Sequence, residues 1–163
     1  MTSADQVIAA LGLLPHPEGG FYAETFRAQA LPFALPERGE RSASTDIYFL
    51  LRAGDFSALH VVSSDEVWHH YLGDAIELHC FDEAGAHRRA LLGVRLAEGE
   101  RPQHVVRRGE LQAARVVTGE HGFALCGCTV APGFDFADFR MPGRAELLER
   151  LPAYRELLTA LTR

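Results

Sequence analysis

The stretch Ser57-Ala-Leu-His-Val-Val-Ser-Ser-Asp-Glu-Val-Trp-His-His-Tyr-Leu-Gly73, followed by Asp74, decides how the rest of the chain is read. Its alternation of apolar and polar residues gives two strands, Phe56 to Val62 and Glu66 to Leu72, joined by the polar turn Ser63-Ser64-Asp65. Gly73-Asp74 breaks the second strand. Side chains two apart on a strand share a face, so Glu66, Trp68 and His70 point one way. His60 and Val62 share a face on the preceding strand. If both sets face inward, an imidazole and a carboxylate line one cavity.

The flanking sequence continues the pattern. Ser3 to Leu13 predicts a short helix capped by Ser3, with Val7, Ile8, Leu11 and Leu14 on one apolar face and Gly12 and Pro15 ending it. His16-Pro-Glu-Gly-Gly20 is rich in turn residues, and the paired glycines permit backbone conformations that other residues resist. Phe21 to Ala28 alternates as a strand carrying Tyr22, Glu24 and Arg27. Residues 29 to 44, with two prolines and a charge cluster, read as a long loop, a lid or a partner contact. Thr45 to Arg52 is a strand apolar on both faces after Ile47, so both faces need a cover.

Beyond Asp74, the strands Ala75 to Phe81, His87 to Arg95, Gln103 to Arg107, Leu111 to Val117 and Phe123 to Val130 alternate with turns. Short strands at this spacing predict an all-β sandwich or barrel. Leu147, Leu151, Tyr154, Leu158 and Leu161 mark an amphipathic helical segment over 143 to 162, with a break at Pro152. The whole of 1 to 163 reads as one domain whose barrel core runs from about 17 to 140.

The totals exclude several classes. A chain of 163 residues with 47% apolar content has enough material for one packed core. A net charge of -6 argues against a nucleic-acid partner. No apolar run approaches the ~18 residues of a membrane span, and no secretory signal is visible. Three cysteines, Cys80, Cys126 and Cys128, are too few and odd in number for a disulfide framework, which places the protein in a reducing compartment, by default the cytoplasm.

The arrangement resembles the cupin superfamily of small jelly-roll barrels. The first cupin motif has a His, a second His two residues on, a Glu, and then a Gly. Here His60, Glu66 and Gly73 fit, while Val62 stands where the second His belongs. In the second motif Gly109 is kept, Arg107 replaces a Pro, and Gln112 replaces the last His. His16-Pro-Glu-Gly-Gly-Phe-Tyr-Ala-Glu-Thr-Phe-Arg27, Thr45-Asp-Ile-Tyr-Phe-Leu-Leu51, Asp65-Glu-Val-Trp-His69 and Gly127-Cys-Thr-Val-Ala-Pro-Gly-Phe-Asp-Phe136 narrow the match. Together they look like the cupin-5 subgroup, over roughly residues 5 to 142. The resemblance implies a double-stranded β-helix barrel with short helices at each end, a pocket inside it, a homodimer and a small-molecule ligand.

Cupins often hold a divalent metal with three His and one Glu. His60, Glu66 and Gln112 make at most a weak set for one, with His70 placed to compensate, so no cofactor is expected. His60 and Glu66 read either as an acid-base pair or as a buried His satisfied by a structural Glu. Tyr22, Tyr48 and Trp68 read as walls for a ligand or as core, and Phe134 and Phe136 as core or dimer contact. Arg27 either grips an anionic ligand group or pairs with Glu24 or Glu18. The expected pocket thus has His60 and Glu66 as catalytic groups, with Tyr22, Glu24, Arg27, Tyr48, Trp68, His70 and Gln112 around the ligand. The function expected is an isomerase-, epimerase- or lyase-like enzyme working by acid-base chemistry. The alternative is a non-catalytic dimeric barrel that binds or senses a small molecule.

Overall fold

The computed structural model describes residues 2–163. Helix α1 (Ala4–Leu11) opens with a reciprocal cap: the Ser3 hydroxyl accepts from the Gln6 amide, and the Gln6 side chain accepts from the Ser3 amide. It closes at Gly12, which takes the left-handed conformation at φ 61°. That early stop removes Leu14 from the helical face where the spacing placed it. Leu14 instead starts the two-residue strand β1 (Leu14–Pro15), which pairs with Phe21 and Tyr22.

Among the described residues ten further strands follow: β2 (Phe21–Arg27), β3 (Thr45–Arg52), β4 (Phe56–Val62), β5 (Asp65–Gly73), β6 (Ile76–Phe81), β7 (His87–Leu92), β8 (Gln103–Val106), β9 (Leu111–Val116), β10 (Phe123–Ala131) and β11 (Phe139–Arg140). They form two antiparallel sheets. The larger is ordered β1-β2-β3-β10-β5-β8 and the smaller β11-β4-β9-β6-β7. This is the cupin-like sandwich expected, and every strand pair within it is antiparallel.

The inner faces of the two sheets meet on Phe49, Leu51, Trp68, Leu78, Val106 and Cys126. The parity predicted for β5 holds: Glu66, Trp68 and His70 are buried while Val67 and His69 are half-exposed. The smaller sheet is buried on its outer face as well. There Leu59, Phe81 and Leu111 pack under Leu147, Leu151, Leu158 and Leu161 of the C-terminal segment. That segment breaks at Pro152, as its sequence demands, into α2 (Arg144–Arg150), a single 3-10 turn and α3 (Arg155–Ala160). The outer face of the larger sheet is covered in part by Val7 of α1 and by Leu13 just beyond it, on Leu50, Phe123 and Leu125.

Two irregularities shape the cavity side of the barrel and its outer surface. In the β5–β10 pairing the register shifts between Leu125 and Cys126, so Tyr71 has no partner and lies across β10. Only Gly127 leaves room for it, since a Cβ there would sit 2.2 Å from the Tyr71 hydroxyl. In β4 the register shifts between Ser57 and His60, which frees two amides. Ala58 donates to the Glu18 carbonyl at 2.8 Å and Leu59 to the Leu161 carbonyl at 2.9 Å. Strand β7 is shorter than the expected His87 to Arg95. It ends at Leu92, where the chain turns into a 3-10 helix and the Glu100 carboxylate accepts from the Arg95 amide. Among the described residues, no helix is long and apolar enough to cross a membrane.

Candidate functional site

A cavity of about 600 Å³ lies between the sheets. Strand β2 supplies Tyr22, Glu24 and Arg27 to its wall, β4 supplies His60 and Val62, β5 supplies Glu66, and β10 supplies Cys128 and Val130. His16 and Glu18 enter from the β1–β2 turn, and Phe134 and Phe136 from the segment after β10. The volume falls within the ~300–1,000 Å³ usual for small-molecule sites.

Glu18 is a buried polar group of the wall. The amide of Ala58, freed by the β4 irregularity, fixes its backbone, and the Ser57 hydroxyl donates to its Oε1 at 2.9 Å. Glycines make this approach feasible. A Cβ on Gly19 would lie 2.2 Å from the Phe56 carbonyl, and one on Gly20 2.6 Å from that of Leu50. Both glycines have positive φ, 113° and 72°. The turn therefore presses Glu18 into the cavity wall with no side chain in the way.

Glu18 Oε2 faces His60 Nε2 at 3.3 Å. His60 Nδ1 lies 2.8 Å from the Ala58 carbonyl, which can only accept, so Nδ1 carries a hydrogen. A neutral His60 thus presents a bare Nε2 to Glu18, and the contact between them holds one shared proton. Burial pushes the Glu18 carboxyl up to about 7 and pushes the His60 imidazole down, which favours that proton on Glu18 near neutrality. His16 completes the cluster. Its Nδ1 accepts from the Glu18 amide at 3.3 Å, and burial lowers its pKa also.

Glu66 is held from behind. Gln112 donates from Nε2 to Glu66 Oε2 at 2.6 Å, and its Oε1 accepts from Trp68 Nε1 at 3.1 Å. Strand register brings these residues together, because Gln112 pairs across β4–β9 with His60. All are buried. Burial raises the Glu66 pKa, and the neighbouring Glu18 raises it further against the lowering influence of His60.

At the mouth, Arg27 is paired with Glu24. Its Nε and one terminal nitrogen donate to Glu24 at 2.9 and 2.7 Å, and both terminal nitrogens reach the Phe134 carbonyl at 3.2 Å. Of the two fates read from the sequence, pairing with Glu24 is the one observed. Phe134 and Phe136 stand edge to face at 5.0 Å and frame the opening, with Phe136 half-exposed and stacked near His16 at 6.1 Å. They are cavity wall rather than core.

Of the residues expected around a ligand, His60, Glu66, Tyr22, Glu24 and Arg27 line the cavity. Trp68 and Gln112 sit one layer behind it. Tyr48 does not reach it: it lies on the outer face of β3, in a shallow groove with Leu11, Tyr71 and Leu125. His70 faces inward but toward the opposite end of the barrel, where its Nε2 donates to the Asp74 carbonyl at 2.9 Å. His60 and Glu66 make no direct hydrogen bond or ion pair, because Glu18 occupies the imidazole's free nitrogen. His16 and Glu18 gained no catalytic or ligand-binding role from sequence alone. Their signal is a His and a Glu two residues apart, followed directly by paired glycines.

A cupin-type metal does not fit these residues. Val62 offers no donor, and both ends of the Gln112 amide are spent on Glu66 and Trp68. Among the described residues, no group of three or more His, Cys, Asp or Glu is arranged to hold a metal ion.

Residues 5–142 match the Cupin_5 family, described as "Cupin superfamily (DUF985)". The chain belongs to that family. It is similar to a hypothetical protein from Leishmania major at 34% identity, covering 99% of each chain with a TM-score of 0.92. A protein from Shewanella oneidensis is 36% identical over 100% of this chain and 99% of its own, with a TM-score of 0.90. An L-ribose isomerase from Cellulomonas parahominis shares the fold at 16% identity, over 70% of this chain and 61% of its own, with a TM-score of 0.54. No curated protein matches the chain.

Proposed function

We propose that this protein is a small-molecule enzyme of the isomerase, epimerase or lyase kind, working by proton transfer inside the barrel. The observation that carries the reading is the contact of Glu18 Oε2 with His60 Nε2 at 3.3 Å in the wall of an open cavity. A carboxyl and an imidazole that share one proton near neutral pH can give it or take it at low cost. Glu66 is a second proton-handling group on another element. Isomerisation next to a carbonyl needs two such groups, one to remove a proton from carbon and one to serve the oxygen. Val62, Val130 and Phe49 limit water around them. The sequence contains no lysine, since all 16 of its basic residues are arginine, so Schiff-base chemistry on a side-chain amine is not available.

The test is solvent deuterium exchange. A panel of hydroxy-carbonyl compounds is incubated with the protein in heavy water, and incorporation at carbon is read by mass spectrometry. Exchange is expected with at least one compound, and Glu18→Gln and Glu66→Gln should each slow it by about 10²–10⁴-fold while ligand binding persists. Bound compounds that exchange at the same rate in wild type and both variants would remove the enzyme reading.

We further assign the protein to a homodimer in the cytoplasm. Tyr71 and Leu72 are exposed beside the Tyr48 groove on the larger sheet, and a second copy is the cover we assign to them. Light scattering should give a dimer mass at micromolar concentration; a monomer there refutes the assembly. The buried, free thiols of Cys80, Cys126 and Cys128 suit a reducing compartment.

A further inference from the structure

We propose that the cavity takes an uncharged small molecule that carries both hydroxyl or carbonyl groups and apolar surface, and that it turns away phosphate esters and carboxylates. The inference rests on the same cavity as the acid-base reading and adds the substrate class.

The charges of the wall are already committed to one another. An anion moved from water into a cavity needs a counter-charge or free donors there. Among the described residues Arg27 is the one guanidinium in this wall, and Glu24 and the Phe134 carbonyl occupy all but one of its five N–H donors. Arg38 and Arg41, the next nearest in the chain, are spent on Asp138 outside the cavity. Two backbone amides at the mouth are satisfied too. Phe134 donates to Thr45 Oγ1 at 2.9 Å, and Ala137 donates to Asp135 Oδ1 at 2.8 Å. Asp135 is also in the lining, and its carboxylate opposes a second anion.

A cation fares no better. Glu24 is already paired, and burial raises the pKa of both Glu18 and Glu66, so they are poor counter-ions. What remains is suited to hydroxyl and carbonyl groups: the two carboxyls, which can donate or accept, and the imidazole of His16. Around them run Ile47, Phe49, Val62, Val130, Phe134 and Phe136, apolar and aromatic surface for a flat or puckered ring.

Binding alone tests this. Free D-glucose, D-mannose and D-ribose are each compared with their phosphate esters, their uronic or aldonic acids and their amino derivatives, by saturation-transfer NMR against the wild-type protein at neutral pH. Transfer is expected to at least one free sugar, with its anionic and amino counterparts weaker by about tenfold or more. Glu24→Gln, which releases Arg27, should strengthen the anionic counterpart selectively. The inference falls if a charged counterpart binds as well as the free sugar, or if no free sugar binds. The readout involves no proton transfer, so it can fail while deuterium exchange succeeds, and the reverse.

Discussion

Gln112 sets the state of Glu66 without touching the cavity. Its amide holds Oε2 at 2.6 Å, so any proton on this carboxyl belongs on Oε1. Its carbonyl takes the Trp68 indole at 3.1 Å, so the amide cannot turn round without losing both bonds. A donor aimed at a carboxylate favours the ionised form. Gln112→Leu therefore raises the Glu66 pKa further, and the pH limb of activity that reports ionised Glu66 moves to higher pH. The orphaned Trp68 N–H costs about 1–3 kcal/mol of stability, read from urea denaturation. A stability loss with an unmoved pH limb would make Gln112 a packing residue only. At this scale the sequence was legible where periodicity governs: Glu66, Trp68 and His60 follow from strand alternation. Glu18 does not. Its position depends on two positive-φ glycines and on amides freed by an irregularity in β4, none of which leaves a periodic trace.

Between elements, the loop from residue 29 to 44 is irregular, as its prolines and charges require, yet it is firmly tied. Arg38 and Arg41 both grip Asp138, and Arg38 also donates to the Ser63 carbonyl and Ser64 hydroxyl at the β4–β5 turn. Two guanidiniums hold the Asp138 carboxyl down to about 2. The clamp joins the loop to the segment that carries Phe134 and Phe136. Asp138→Ala should loosen both. The Arg side chains keep some water contact, so the cost should fall below the ~3–5 kcal/mol of a fully buried broken pair. Limited proteolysis should cut within 29 to 44 in the variant and spare the wild type; equal cutting would mean that the clamp is idle. Composition identified the loop, but its anchor lies 100 residues away from Arg38, beyond any local signal.

For the molecule as a whole, alternating strands and turn residues were enough to predict two antiparallel sheets in a jelly roll, and the cupin-like spacing of His60, Glu66 and Gly73 placed the cavity. Strand order was not legible from periodicity, because alternation says which face is buried and not which neighbour buries it. That order has its own consequence. Strand β10 is the spine of the larger sheet, paired with β3 on one side and β5 on the other. It is also the last strand of that sheet to be made, some 50 residues after β5. During synthesis at about 5–20 residues per second, β3 and β5 exist for seconds as two separate half-sheets, each with a bare edge waiting for the same strand. The nascent chain is thus most prone to sticking to its neighbours on the ribosome in the interval before residues 123–131 emerge.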